Sequence, residues 1–98
     1  MSNDIESKVE KVISYGLVSG WGQPVPGQLC VEAAICLALG EPHKQKPSCV
    51  GHQQHQFAMR LNDACWPSDS ARAEGMLPFA LAELGTAEFT HAQQQVFV

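Results

Sequence analysis

A chain of 98 residues, 45% hydrophobic and 16% charged, is one domain's worth of sequence and too apolar for whole-chain disorder. A domain this small buries only about 60–65% of its unfolded surface, so an apolar exterior is left over, and that favours self-association. Ten acidic residues against six scattered basic ones (Lys8, Lys11, Lys44, Lys46, Arg60, Arg72) give a net charge of −4, with no stripe to neutralise a row of phosphates, which argues against a nucleic-acid partner.

In chain order, residues 3–15 predict a first helix. Asn3 or Asp4 caps it, and Ile5, Val9, Val12 and Ile13 recur at helical spacing. Residues 16–27 hold Gly16, Gly20, Gly22, Gly27, Pro24 and Pro26, a density of breakers that predicts a loop, with Trp21 in it. A second helix is expected over about 28–39, stopped by Gly40 and Pro42. Between Leu29 and Leu39 its one polar residue is Glu32, and a helix apolar on nearly every side belongs at the centre of the fold.

After the polar connection 41–47, Ser48 is expected to cap a third helix reaching Asn62. Its opening half, "GHQQHQ", is too polar to bury deeply. Asp69 or Ser70 then caps a fourth helix through "ARAEGMLPFALAELG", which Pro78 is expected to kink or divide and Gly75 to loosen. Thr86 is a candidate cap for a last helix containing Phe89, Val96 and Phe97. No sustained period-two alternation and no Asn-Gly or Asp-Gly hairpin is present. The expected fold is therefore all-α, a single domain over 1–98 with four to five short helices around residues 28–39.

No stretch approaches 18 uninterrupted apolar residues, so no membrane span is expected. The N-terminus also lacks the pattern of a secretory signal. Cys30, Cys36, Cys49 and Cys65 are then read as free thiols in a reducing, cytoplasmic setting.

Four features carry candidate chemistry. Cys30 falls at a helix start, where the macrodipole and free amides favour a thiolate. In outline "QPVPGQLCVEAAICLALG" resembles the cysteine-helix opening of papain-like and bacteriocin-processing peptidases. That resemblance implies Cys30 as nucleophile and Gln23 as oxyanion donor. The base would come from His43, His52, His55 or His91, with Asn62 or Asp63 to orient it. Such enzymes present their histidine from a β-sheet, which this sequence does not predict, and the preferred reading of Cys30 is core packing.

"CVGHQQH" spaces Cys49, His52 and His55 at three-residue steps, with Cys65 further on; sulfur and imidazole suit zinc. On a helix, residues 49 and 55 diverge by about 120° at roughly 100° per residue, so a solvated face is preferred and no cofactor is expected. Glu32 is expected to pair with Arg60 or Arg72 inside the core; a general-base role lacks a second carboxylate. Trp21 and Trp66, each near prolines, are candidates for a binding anchor or, preferably, lids on a small core.

The run "LCVEAAICLALGEP…PSCV", with "RLNDACWPSDSARAEGM" and "ALAELGT", resembles a group of small uncharacterised bacterial and phage-type hypothetical proteins over roughly residues 28–86. The group has no assigned activity, so the resemblance implies a mobile-element origin and transfers no catalytic residue. The functional expectation is a non-enzymatic binding or assembly module, homodimeric through its apolar C-terminus (Phe97, Val98), with a protein or small-molecule partner.

Overall fold

The computed structural model describes residues 3–20, 22–43 and 46–88. They form four α-helices: α1 (Asn3–Ile13), α2 (Val31–Leu39), α3 (His52–Asn62) and α4 (Asp69–Glu83). A 3₁₀ turn over Thr86–Glu88 follows. No strand occurs among the described residues; one antiparallel bridge joins Gly22 to Leu29. The all-α expectation holds.

Helix α2 is the hub, packed against α1, α3 and α4. Every residue from Val31 to Cys36 is buried, as its unbroken apolar sequence requires. Around it stand Val9 and Ile13 of α1, Ala58 of α3, and Met76 and Ala80 of α4. Fully burying Val31 or Ile35 is worth about 1.5–3 kcal/mol each. Leu17, from the Gly-rich loop, is also fully buried, although the breaker density there pointed to loop alone.

Several boundaries move from their expected places, each for a local reason. Helix α2 starts at Val31 rather than Gln28, because the preceding residues fold back on the loop: Val18 N–H donates to Leu29 O at 2.9 Å and Gln23 N–H to Gln28 O at 2.7 Å. Its C-terminus follows expectation, with Gly40 at φ 74°. Gly40 N–H bonds Leu37 O and Glu41 N–H bonds Cys36 O, the paired closure of a Schellman motif.

Helix α3 starts at His52 with Gly51 as its cap, three residues later than a Ser48 cap would set it. Ser48 does not cap it, because its amide and hydroxyl both bond the Glu41 carboxylate. The polar opening of α3 is not shallow, since Gln54 is fully buried. Helix α4 is capped by Ser68, whose Oγ accepts Ala71 N–H at 3.0 Å, and Pro78 does not divide it. Glu74 and Pro78 are both exposed, so the missing hydrogen bond falls on the solvent side of the helix. Gly75 is a seat rather than a weak point. A Cβ there would stand 2.4 Å from the Trp66 ring. Of the expected last helix, the structure describes the 3₁₀ turn at Thr86; residues 89–98 lie outside the described residues.

Gly22 is the tightest point of the loop. Its φ is +70°, and a Cβ would lie 1.9 Å from Gln28 O. Gly20 has the same φ but open space beside it. Gly22→Ala is expected to lose about 2–4 kcal/mol of unfolding free energy, because strain and overlap add. Gly20→Ala is expected to lose only about 1–2 kcal/mol from the left-handed backbone. Urea titration of both variants checks the difference.

Candidate functional site

Two polar clusters sit inside this apolar framework. The first is at the N-terminus of α2. Cys30 is the N-cap residue, and its Sγ accepts Ala33 N–H at 3.4 Å. The thiol is buried. Burial raises its pKa above the ordinary 9.0; the Ala33 and Glu32 amides pull the other way without cancelling, and the Glu32 and Asp63 charges add to the rise. The expected thiolate activation is therefore reversed, since desolvation outweighs the helix start.

Asn62, fully buried at the end of α3, closes this junction. Its Oδ1 accepts Val31 N–H at 2.9 Å, and its Nδ2 donates to Val18 O at 2.9 Å and to Asp63 Oδ1 at 3.1 Å. Asp63 Oδ1 also accepts Gly20 N–H at 2.8 Å. From α4, Arg72 Nε donates to Asn62 O at 2.7 Å, and its Nη1 meets Asp69 Oδ1 at 2.5 Å. One side-chain amide thus joins the loop, α2 and α3, and its own backbone carbonyl brings in α4.

A cavity of about 90 Å³ lies here, lined by Gly20, Cys30, Met59, Asn62 and Asp63. Among the described residues no histidine lines it. His43 borders a separate hollow with Leu29 and Ala33, His52 is exposed, and His55 is held on Glu32. Gln23 is exposed on the loop, while Trp21 and His91 lie outside the described residues. Asn62 and Asp63, read as orienters for a base, spend their side-chain bonds on the Val31 and Gly20 amides, the Val18 carbonyl and each other. The arrangement stabilises a helix start, and among the described residues it brings no histidine to Cys30.

The second cluster is the interior of α2, α3 and α4. Glu32 and Glu83 are fully buried. Glu32 does not pair with Arg60 or Arg72: its Oε1 meets His55 Nδ1 at 2.8 Å, with the His55 side chain 12% exposed. Glu83 supplies the second carboxyl that the sequence reading did not find. Burial, and then the Glu32 carboxylate beside it, push its pKa far above the usual carboxylate range. The signal was present in the spacing, because Met76, Ala80 and Glu83 share the inward face of α4.

The metal reading is not assembled. Among the described residues no three His, Cys, Asp or Glu side chains converge where a metal ion could be held. Cys49 is half-buried, Cys65 and His52 are exposed, and His55 serves Glu32. Trp66 takes the lid role, with its indole N–H on Leu61 O at 2.8 Å and its ring on Gly75.

No family model, curated protein or solved structure matches this chain.

Two outcomes follow. With native protein, iodoacetamide is expected to modify exposed Cys65 first, while Cys30 and Cys36 (the latter pushed up to about 12 by burial) stay protected until denaturant is added. Peptide mass spectrometry of each cysteine reads this directly. Asn62→Ala strands Val31 N–H and the Val18 carbonyl, and is expected to lower unfolding free energy by about 2–4 kcal/mol, measured by denaturant titration.

Proposed function

We propose that the chain is a small non-enzymatic binding module, carried on a mobile element as its sequence resemblance implies, whose docking face is the cleft between α1 and α4. The observation behind this reading is the cleft itself, about 330 Å³, bordered by Glu10, Ile13, Tyr15, Glu74 and Leu77 among others. Tyr15 stands 61% exposed at its edge, an aromatic placed where it contributes little to the core and much to a contact. Glu10 and Glu74 are the charged residues among the described lining, so the occupant that fits is a partner segment with an apolar side chain flanked by Lys or Arg. Self-association through this face is disfavoured, because a second copy carries the same net charge of −4. The homodimer expectation drew on the apolar, sparsely charged composition and on Phe97 and Val98, and those two residues lie outside the described residues.

A short leucine peptide flanked by lysines, titrated into ¹⁵N-labelled protein, is expected to shift the amides of Ile13, Tyr15, Ala73 and Leu77. Those shifts should vanish in Glu10→Lys/Glu74→Lys and weaken as salt is raised. Shifts spread over the whole surface, or none at saturating peptide, would sink the reading. Sedimentation velocity at micromolar concentration distinguishes the remaining outcome: a dimer that Tyr15→Ser dissolves would assign the cleft to a second copy instead.

A further inference from the structure

The three helices that enclose α2's acid also enclose a charge imbalance. Glu32 comes from α2, His55 from α3 and Glu83 from α4. His55 Nδ1 occupies Glu32 Oε1 at 2.8 Å. Glu32 Oε2 and both Glu83 oxygens are inaccessible and have no hydrogen-bond partner as placed. Two carboxylates therefore share one imidazole among the described residues, where Arg60 and His52 of α3 are exposed and two further cations are bound to other groups. Arg72 is bound to Asp69 and to Asn62 O, and Lys46 Nζ to the Pro47 and Val50 carbonyls. Cys30 of α2 and Cys49, ahead of α3, are the other titratable groups acting on Glu83, and each would only add negative charge. Helix α1 turns Val9 and Ile13 inward and keeps Asp4, Lys8, Glu10 and Lys11 exposed and Glu6 half-buried. A second buried anion without a counter-charge is not sustainable in such a site, whereas one proton converts the orphaned oxygens into donor and acceptor.

We propose that Glu83 is a neutral carboxylic acid in the folded protein, donating its proton to Glu32 Oε2, so that a Glu83–Glu32–His55 chain latches α4 to α2 and α3 and loosens as the pH rises. The proton comes from and returns to water, and His55 is the member of the chain that reaches solvent. The latch extends into the following turn. Thr86 Oγ1 donates to Glu83 O at 2.7 Å and accepts Gly51 N–H at 2.8 Å, and Ala87 N–H bonds Cys49 O at 3.1 Å. Loosening at Glu83 thus frees the 84–88 segment and uncovers Cys49. A carboxyl whose folded pKa is raised contributes fully below its unfolded value, ordinarily 4.5. That contribution is lost progressively as pH climbs towards the folded value.

The test uses the full chain, ¹³C-labelled at glutamate. Across pH 5–8 the Glu83 carboxyl resonance, assigned with Glu83→Gln, is expected to stay at its protonated position while the exposed glutamates ionise near their ordinary values. The wild-type melting temperature is expected to fall by several degrees from pH 5 to pH 9. Glu83→Gln, which keeps a donor towards Glu32, should flatten that profile and melt above wild type at pH 8. Cys49 alkylation in wild type should rise between pH 6 and pH 8 by more than the gain in thiolate, and in Glu83→Gln only by that gain. A Glu83 resonance that titrates with the exposed glutamates would overturn the proposal, whether or not the variant folds well. So would an equal loss of melting temperature in Glu83→Gln at every pH. A rise in melting temperature on adding a divalent cation would also overturn it, by assigning the cluster to an ion.

Discussion

Helix α2 is buried from Val31 to Cys36 and meets solvent only in its last turn, at Leu37, and much of the molecule follows from covering it. A nine-residue helix with Val31 to Cys36 wholly buried needs neighbours on every side, so α1, α3 and α4 are all drawn onto it. Burial removes water from its N-terminal end, and at both ends the backbone has groups that no helical partner can satisfy. At one end Gly40 adopts the left-handed conformation and closes the last carbonyls. At the other, a thiol cap is a weak acceptor at 3.4 Å, and the Asn62 amide supplies the stronger bond to Val31 N–H at 2.9 Å. The first amide of the central helix is thus held by the last residue of α3.

The same burial explains why the polar interior is small and closely accounted for. Glu32 lies in the first turn of α2, where the positive end of the helix favours a carboxylate, yet complete burial demands a partner that the apolar helices do not provide in abundance. His55 meets it from a segment whose composition reads as surface. Glu83 arrives from α4 on the face that also carries Met76 and Ala80. Polar residues at core register in three different helices are coupled to one another, and that coupling fixes how the three helices sit.

Legibility in the sequence tracked the range of the interaction involved. Features decided by neighbours along the chain were readable: the apolar run of α2, its Gly40–Pro42 stop, the inward Val9 and Ile13 of α1, and the all-α class. Features decided by a distant competitor were not. Ser48 has every local qualification as a cap, but Glu41 takes its amide and hydroxyl first. Pro78 reads as a break, but the helix continues through it, with Pro78 and Glu74 on the exposed side. Gln54 and His55 read as solvated because polar residues usually are, and Glu83 drew no reading although its spacing from Met76 and Ala80 sets it on the same face of α4. At Cys30 the helix start was legible, and the reversal of its acidity was not, since desolvation depends on what lies above the thiol.

The reach of Asn62 also bears on when this chain can fold as it is made. Val31 N–H waits for a partner 31 positions later, and the loop strand at Val18 for one 44 positions later. Until residue 62 has left the ribosome, α1 and α2 can collapse together but cannot satisfy the buried helix start, so a nascent chain halted before that point exposes an apolar helix with an open end. The interval between making α2 and completing its cap is therefore the stretch of synthesis in which this protein is most exposed to aggregation and most in need of a chaperone's cover.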